Sequence, residues 1–544
     1  MSNHESRKRV IEEQDEEDDV FGRKAPESAD RSLEGEPVAM AGSEETPCPE
    51  CGRVRAADDT APCVMVIFGA SGDLTKRKLV PALFHLEVDG LLDENMKIIG
   101  FARTRSSDEE FREMMRESVA DLVPGDPEQD AAWRRFGSRL HYISGQYDET
   151  ESFVRLNRLL KELECPCAAG RHLYYMALPP SATEDVLGCM REARCIPKAR
   201  GKAASRIMIE KPFGNDLESA RHLNRLLLDV FDESQIYRID HYLAKDTVRN
   251  LLVMRFGNAI FEPLWNRRYI DNVQITAAEQ IGIEGRGGYY EESGVVRDMV
   301  QNHVLQVLAL TAMDPPVGGD VESVRDKRIE VFRSLAPLQP GDFVFGQYDG
   351  YRDERNVEPQ SVVPTYAAAR FHINNWRWQG VPFYIRTGKA LPRKLTEIII
   401  QFKSIPLCIF ESEHLCRQVQ PNVLAIRIQP NEGIRLFFAA LRLGREDRIG
   451  RADMGFDYAK FGFLKSEGYE RVLLDALKGN PGLFWRADGV EAAWRAVTPM
   501  LEAPREALLR AFPNYTPGSW GPAEADRLPQ RDGRVWLYTD EAGE

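Results

Sequence analysis

The sequence lacks the long apolar runs of a membrane protein and the excess of basic residues of a general nucleic-acid binder. None of its 544 residues belongs to a stretch near the roughly 20 apolar residues that cross a bilayer. Lys and Arg number 71 against 85 Asp and Glu, a net charge of −14, so an anionic ligand needs a local cluster of cations. The N-terminus has neither a signal peptide's apolar core nor an Arg-rich transit pattern, and residues 12–19 are acidic. These absences favour a cytoplasmic protein without nucleic-acid or membrane partners.

Cysteine is also scarce. Nine cysteines, an odd number, are scattered through the chain, which favours reduced thiols over a disulfide framework. Cys48 and Cys51 have the spacing of half a zinc site, but no second such pair and no matched pair of histidines accompanies them. We therefore expect no metal site.

The two ends of the chain differ from the rest. Residues 1–61 are rich in Glu, Asp, Pro, Gly and Ser and poor in aromatics, which predicts a disordered acidic N-terminal extension because too little apolar surface is present to offset the entropy of ordering. A solvated extension is favoured over a partner-binding segment. Residues 526–544 are taken as a C-terminal tail.

Residues 62–240 alternate short apolar runs with helical patterns. This alternation predicts a parallel, doubly wound α/β sheet. The expected strands are Cys63–Phe68, Lys97–Ala102, Leu140–Ser144, Leu173–Leu178, Arg206–Ile209 and Gln235–Ile239, and the helices between them include Asp108–Leu122, Glu151–Leu163, Ser181–Ala193 and Asp216–Val230.

Residues 241–525 show strand patterns in succession with few helices between them. They predict an α+β domain with a large, mainly antiparallel sheet. The expected strands are Asn272–Ala278, Tyr366–Asn374, Pro382–Thr387, Thr396–Phe402, Val423–Gln429 and Ile434–Ala440, and the expected helices are Glu291–Ala312, Gly468–Lys478 and Val490–Leu501.

A glycine-containing turn directly follows the first strand and opens a helix. In this position exposed N–H groups and the helix dipole favour a phosphate, so the turn predicts a Rossmann-type dinucleotide-binding domain, although a tight turn without a ligand has the same residues. Arg103 stands at the end of the second strand, and no acidic residue is present there to bind a ribose 2′-hydroxyl. This pattern favours NADP over NAD without excluding NAD. Alternatively, Arg103 is an ordinary exposed arginine. The residues expected to bind the cofactor here are Gly69, Ser71, Gly72, Asp73, Leu74 and Arg103.

Several polar residues fall where ligands bind in open α/β sheets. Lys211 follows the fifth strand and could bind a ligand there or be a surface lysine at a turn. His241, Lys245 and Arg249 follow the sixth strand at a spacing that places them on one helical face, which is either a phosphate site or a solvated basic surface. A third cationic group, Arg386–Lys394, follows a strand of the second domain.

His303 lies on an apolar helical face and is either a general base or a buried core histidine. Asp298, five residues earlier, is about 140° away on a regular helix and so badly placed to orient His303. Asp240, from the end of the sixth strand, is a candidate for that role.

Taken together, the motifs resemble the glucose-6-phosphate dehydrogenase family from about residue 63 to 520. The matching strings, in the family's order, are GASGDL followed by TKRKLVPALF, FAR, ALPP at 177–180, IEKPFG, RIDHYLAK, AEQIGIEGRGGYY at 278–290, RDMVQNHVLQ, RTGKALPRK and QPNE at 429–432. The resemblance implies oxidation of glucose 6-phosphate at C1 to 6-phosphogluconolactone with hydride transfer to NADP, the first step of the oxidative pentose phosphate pathway.

The resemblance also implies roles for individual residues. His303 would be the general base and Asp240 would orient it. Lys211 would bind both substrate and cofactor, and the other substrate-binding residues would be His241, Tyr242, Lys245, Glu279, Asp298, Lys389 and Lys394. The family forms homodimers and homotetramers. Animal members bind a second, structural NADP with a lysine beyond the PNE motif, but Phe437 stands there, so we do not expect that site.

An alternative of another class is a catalytically weak, NADP-binding regulatory homologue whose acidic tail binds a partner. The presence of Asp240, His303, Lys211 and Lys389 favours the enzyme.

Overall fold

The computed structural model describes residues 63–122, 127–164, 170–197, 205–410, 413–442, 448–461 and 468–539. The predicted acidic extension, with Cys48 and Cys51, lies outside the described residues.

Six parallel strands form the first sheet, because each is a short, mainly apolar run packed between helices. Nearly all residues of five strands are buried, whereas the edge strand is buried only at Leu140 and Tyr142. The predicted strands agree with them to within two residues at either end, and the Rossmann-type prediction is confirmed. The strands are β1 (Val64–Phe68), β2 (Lys97–Ala102), β3 (Leu140–Ser144), β4 (His172–Met176), β5 (Arg206–Ile209) and β6 (Ile236–Ile239).

The second sheet is mainly antiparallel, as predicted, with one parallel pair between β7 and β10. Its order is β14-β13-β12-β11-β7-β10-β9-β8, and β8 and β14 were not predicted. The strands are β7 (Ile270–Ala278), β8 (Phe343–Gly346), β9 (Tyr366–His372), β10 (Pro382–Gly388), β11 (Leu395–Phe402), β12 (Val423–Gln429), β13 (Gly433–Arg442) and β14 (Arg448–Asp457).

A short strand from late in the chain returns to the first sheet. Strand β15 (Phe484–Trp485) pairs antiparallel with β6, with Phe484 opposite Ile239 and Trp485 opposite Arg238. The order of the first sheet is therefore β15-β6-β5-β4-β1-β2-β3. Residues from the C-terminal part of the chain thus complete the edge beside Asp240.

Helices cover the first sheet and pack on the second. The α-helices of the described residues are α1 (Val80–Val88), α2 (Asp108–Ser118), α3 (Pro127–Gly137), α4 (Thr150–Leu163), α5 (Thr183–Glu192), α6 (Leu217–Leu228), α7 (Asp246–Phe256), α8 (Gly287–Val295), α9 (Leu305–Ala312), α10 (Val321–Ser334), α11 (Glu413–Gln418), α12 (Gly468–Lys478), α13 (Ala487–Leu501), α14 (Arg505–Ala511) and α15 (Arg527–Gln530).

The predicted single helix Glu291–Ala312 is wrong in its geometry. Gly294 has φ of 56° and kinks the end of α8, and Val296–Val304 forms a π-helix before α9 begins. A second π-helical segment, Thr75–Leu79, follows the glycine turn. In a π-helix the hydrogen bonds join residues five apart, so side chains at that spacing lie on one side.

The expected helical face of His241, Lys245 and Arg249 is also not formed. Residues 241–244 form turns, and Lys245 is the residue before the first turn of α7. Arg249 pairs with Asp246 at 3.4 Å.

Residues 526–539, assigned to the tail, pack on the second sheet. Leu537 contacts an apolar cluster of Ile399, Val423, Ala425 and Phe437. The guanidinium of Arg386 lies 4.5 Å from the ring centre of Trp536 and 4.6 Å from that of Tyr538. This segment therefore covers one face of the sheet.

The expectation of reduced thiols holds in part. Cys63, Cys189 and Cys195 are free, whereas Cys408 and Cys416, eight residues apart, form a disulfide. Among the described residues no group of three or more His, Cys, Asp or Glu is placed to hold a metal ion, and none of their helices is long and apolar enough to traverse a bilayer.

Candidate active site

The centre of the site is a hydrogen bond between His303 and Asp240. His303 Nδ1 lies 2.6 Å from Asp240 Oδ1, and each residue is 1% exposed. Asp240 directly follows β6, and His303 lies in the π-helix, so two domains contribute one side chain each. The Tyr242 backbone N–H also donates to Oδ1 at 3.0 Å, and the Trp485 indole N–H donates to Oδ2 at 3.4 Å.

The environment fixes the charge of both groups. Burial lowers the pKa of His303, with the Asp240 carboxylate opposing this effect and the Lys211 ammonium reinforcing it, so the imidazole is neutral near pH 7. Burial opposes ionisation of Asp240, but His303 and His241 bring its pKa well below the ordinary value. A neutral imidazole bonded through Nδ1 to a carboxylate presents Nε2 as a proton acceptor.

Lys211 lies on the Nε2 side of His303. Its Nζ is 3.0 Å from His303 Nε2, 3.0 Å from Asp298 Oδ1 and 3.0 Å from the Asp298 carbonyl oxygen. The predicted angular separation of Asp298 and His303 is therefore wrong, because the π-helix places both beside one ammonium group. Asp298 nevertheless does not contact the Nδ1 side, where Asp240 lies.

The charge on Asp298 is secured by two lysines. Burial raises the pKa of Asp298, but Lys211 and Lys389 outweigh it and lower the pKa to about 2. The Tyr289 hydroxyl donates to Asp298 Oδ1 at 3.2 Å. Asp298 is therefore an ionised hydrogen-bond acceptor close to His303.

A cationic and aromatic group surrounds the imidazole. The Tyr242 ring stacks on His303 with centroids 4.2 Å apart, and the His241 ring meets it edge-on at 4.6 Å. Lys245 Nζ lies 4.5 Å from the centre of the Tyr242 ring. Burial and the charge of Lys394 lower the pKa of Lys245 to about 8, so it is still cationic at neutral pH.

The second domain supplies an ion pair to the site. Lys389, 4% exposed, pairs with Glu279, while Lys394 is exposed. Strands β7 and β10 run parallel, so Glu279 and Lys389, which directly follow them, meet at one end of the sheet. The structure thus brings cations and carboxylates together around His303 and Asp240.

The glycine turn lies at the carboxyl edge of the first sheet. Gly69 has φ of 85°, and a Cβ there would lie 2.2 Å from the Ala177 carbonyl oxygen, so the turn closes only with glycine. The Gly69 N–H donates to the Phe101 carbonyl at 2.9 Å and the Gly72 N–H to the Gly69 carbonyl at 2.9 Å. These bonds fix the backbone of the turn, so that the start of the helical segment after it faces a cleft.

A cleft of about 580 Å³ connects the turn to Lys211. Its lining includes Leu74, Leu178, Lys211, Tyr289, Arg297 and Tyr469. The cleft has room for an elongated ligand with one end beside the base and the other beside the glycine turn.

Arg103 is exposed at the far end of this edge. Its guanidinium carbon is 5.5 Å from the centre of the Tyr147 ring, and the adjacent Thr104 hydroxyl donates to Ser71 Oγ at 3.3 Å. Ser71, Asp73 and Leu74 lie at least partly open to solvent in the turn. A cation beside an open turn fits a phosphorylated adenosine group.

Sequence reasoning missed several groups of the site. Tyr289 and Glu210 stand within quoted motifs, which was the available signal, and Glu210 accepts from the Tyr175 hydroxyl at 2.5 Å. Tyr469 and Trp485 come from α12 and β15, far along the chain, and no local pattern marks them. Arg249 and Arg386 were considered as cations for this region but bind elsewhere.

Known sequences are similar to this chain over most of its length. Residues 66–250 match the family model "Glucose-6-phosphate dehydrogenase, NAD binding domain", and residues 252–537 match "Glucose-6-phosphate dehydrogenase, C-terminal domain". Glucose-6-phosphate 1-dehydrogenase from Aggregatibacter actinomycetemcomitans is 44% identical over 490 residues, which are 87% of this chain and 97% of that protein. The cytoplasmic glucose-6-phosphate 1-dehydrogenase 6 of Arabidopsis thaliana is 42% identical over 481 residues, 87% of this chain and 92% of that one. A chloroplastic glucose-6-phosphate 1-dehydrogenase from Solanum tuberosum is 41% identical over 490 residues, which are 88% of this chain and 84% of that protein.

Solved structures are similar as well. A glucose-6-phosphate dehydrogenase in complex with its substrate glucose 6-phosphate has a TM-score of 0.78 and 36% identity, covering 89% of this chain and 100% of that one. The glucose-6-phosphate 1-dehydrogenase of Mycobacterium avium has a TM-score of 0.76 and 37% identity, and the match covers 88% of this chain and 99% of that one.

Proposed function

The chain belongs to the glucose-6-phosphate dehydrogenase family, and we propose that it oxidises C1 of glucose 6-phosphate to 6-phosphogluconolactone with NADP as the hydride acceptor. The observation that carries this proposal is the buried His303–Asp240 pair at 2.6 Å beside a group of lysines. A neutral base next to fixed cations suits deprotonation of a sugar hydroxyl whose phosphate is anchored nearby.

His303 takes the proton of the C1 hydroxyl on Nε2. Asp240 holds Nδ1 and stabilises the imidazolium that forms, since a buried carboxylate favours the charged ring. Lys211 Nζ lies 3.0 Å from His303 Nε2, and its two bonds to Asp298 keep the ammonium group beside the position that the C1 hydroxyl takes at Nε2.

The sugar phosphate is held at both ends. Lys245, His241 and Tyr242 bind the phosphate, and Lys394 adds positive charge from the second domain. Glu279, Asp298 and Lys389 accept from or donate to the sugar hydroxyls. A phosphate with nearly two negative charges fixed in this way directs C1 to His303, so binding energy is used for orientation.

The cofactor residues fit NADP. The glycine turn of Gly69, Ser71, Gly72, Asp73 and Leu74 would hold the pyrophosphate, Arg103 would bind the 2′-phosphate, and Lys211 would be near the nicotinamide. When bound, NADP supplies the hydride acceptor at its nicotinamide C4. NAD is a weaker alternative, because Arg103 also stacks on adenine.

The regulatory, catalytically weak homologue is not favoured. Relatives that cover most of this chain are named as dehydrogenases, and the complete His303–Asp240 pair is not needed by a protein that only binds NADP. We place the enzyme in the cytoplasm, in keeping with its cytoplasmic plant relatives, although a chloroplastic one is also similar.

We further propose a homo-oligomer that uses the outer end of the second sheet. The long edge strand β14 and its neighbour β13 expose Met454 and Leu441 by 59% and 58%. Unpaired strand edges with apolar side chains favour association with another chain.

The test is the initial rate of NADPH formation, followed by near-ultraviolet absorbance. We expect turnover with glucose 6-phosphate and NADP and far less with unphosphorylated glucose. His303→Asn is expected to lower kcat by at least about 1000-fold, because removing a general base costs about this much. Glucose 6-phosphate binding, measured by calorimetry, should persist in that variant.

Two results would contradict the proposal. Retained turnover in His303→Asn would remove this residue from the role of base. A folded protein that binds NADP but turns over neither sugar would instead support the regulatory homologue.

A further inference from the structure

Among the described residues, the side-chain carboxylate of Asp240 has three hydrogen-bond partners from three parts of the chain. Two of them, His303 and the Tyr242 backbone, bind Oδ1, while the third, Trp485, binds Oδ2. Trp485 is 1% exposed and 245 residues away in sequence. A buried indole N–H normally has a partner, and here the partner is the carboxylate beside the base.

Trp485 is held firmly in place. Strand β15 pairs with β6, so the backbone of Trp485 lies opposite Arg238, two residues before Asp240. The Trp485 ring stacks on Phe332 of α10, with centroids 5.2 Å apart and planes at 14°.

Two buried arginines of α10 fasten the same short strand. Arg328 Nη2 donates to the Phe484 carbonyl at 3.2 Å and to the Gly482 carbonyl at 3.2 Å. Arg325 Nη2 donates to the Trp485 carbonyl at 3.5 Å. The strand that bears Trp485 is thus bonded on one side to the sheet and on the other to a helix.

We propose that Trp485 is a positioning residue for the oxidation: its indole N–H fixes the second oxygen of Asp240 and, through that carboxylate, the orientation of the His303 ring. The proposal rests on the role of His303 as the base. A carboxylate bonded at one oxygen can still turn about its Cβ–Cγ bond, whereas donors on both oxygens set its plane. The direction of the Nδ1 hydrogen bond, and hence the direction in which Nε2 points, follows from that plane.

The charged and titratable groups that face this pair come from several elements. They are Glu210 and Lys211 after β5, His241, Tyr242 and Lys245 after β6, Asp298 in the π-helix, and Arg328 on α10. None of them is altered by replacing Trp485 with Phe, which keeps the aromatic stack on Phe332. The loss of the N–H is therefore the main electrostatic change.

The experiment compares Trp485→Phe with Trp378→Phe. Trp378 is also fully buried, and its indole N–H donates to the Ala312 carbonyl at 2.6 Å, away from the dyad. In Trp485→Phe we expect kcat to fall roughly tenfold, the size of one hydrogen bond to a charged group. The KM for glucose 6-phosphate should stay within about twofold, because the phosphate contacts are intact.

The pH profile of kcat/KM gives a readout that a loss of packing alone does not change. Without the indole donor Asp240 is a stronger base and stabilises the imidazolium better, so the pKa of His303 rises. The acid limb of the profile should therefore move to higher pH in Trp485→Phe and stay unchanged in Trp378→Phe.

A double variant tests the route through Asp240. If Trp485 acts through that carboxylate, adding Trp485→Phe to Asp240→Asn should lower kcat no further. If the Phe variant is too unstable to assay, 3-benzothienylalanine at position 485, which keeps the shape of the indole ring but lacks its N–H, gives the same readouts.

The outcomes separate this inference from the proposed function. If His303→Asn retains turnover, His303 is not the general base, and both the proposed mechanism and this inference are contradicted. If His303→Asn is inactive while Trp485→Phe keeps the kcat and acid limb of the unmodified enzyme, only the inference is overturned. The inference alone is also overturned if Trp378→Phe moves the acid limb of the kcat/KM profile as far as Trp485→Phe does.

Discussion

Under the proposed function, a single residue at the end of a strand, Arg103, selects the cofactor. It is exposed, lies near the Tyr147 ring, and follows β2, where an acidic residue would serve a ribose 2′-hydroxyl. A guanidinium there attracts a 2′-phosphate and repels no part of NAD. On this proposal, the preference between the two cofactors depends on one charge.

Replacing Arg103 with Ala is expected to raise the KM for NADP by about tenfold to 100-fold and that for NAD by much less. The reason is that a charge-assisted bond to a phosphate is lost only with NADP. Initial rates with both cofactors at saturating glucose 6-phosphate measure this. The exposed Arg105, two residues on, is a matched control whose change to Ala should affect both KM values little. Equal rises for NADP and NAD in Arg103→Ala would refute the assignment.

Residues of the site were predictable when they stood in a motif at the end of a strand. Asp240, His241 and Lys211 follow β6 and β5, and parallel strands bring their carboxyl ends together. Trp485 and Tyr469 were not predictable, because their contacts join parts of the chain that are far apart in sequence and follow no local spacing.

At the scale of elements, the π-helix Val296–Val304 is the feature that sequence reasoning could not supply. Its apolar positions fit a regular helix nearly as well, so periodicity gave a single helix through Ala312. The kink at Gly294 is what separates it from α8. The strands, in contrast, were predicted closely because short apolar runs between turns and helices have few alternatives.

Two of the three glycines of α8, Gly288 and Gly294, offer a matched test of this kink. Gly294→Ala should destabilise the protein by about 1–3 kcal/mol, because Gly294 has φ of 56° and a Cβ would lie 3.1 Å from Val363 Cγ1. Gly288→Ala, where a Cβ meets nothing within 4 Å, should stabilise by about 0.4–1 kcal/mol. Thermal unfolding of both variants measures the difference. An unchanged Tm in Gly294→Ala would show that the kink needs no glycine.

At the scale of the whole molecule, the outer end of the second sheet is the surface that we propose binds another copy. Light scattering should give a mass of at least twice the 61.8 kDa of one chain. Met454→Glu, on the edge strand, should shift the mass toward one chain, because a buried unpaired charge opposes association. Val317→Glu, at a loop position 81% exposed, is the control and should leave the mass unchanged. A single-chain mass for the unmodified protein would end the proposal of an oligomer.

The return of β15 to β6 also sets the order in which a new chain can be completed on the ribosome. Asp240 and Trp485 are 245 positions apart, and at about 5–20 residues per second the second emerges roughly ten to fifty seconds after the first. During that interval β6 is the open edge of the nascent sheet, and Asp240 waits without its indole partner. The His303–Asp240 site is therefore among the last parts of the protein to be completed, and a chain that stops before residue 484 contains His303 and Asp240 but lacks β15 and the Trp485 indole that bonds to Asp240.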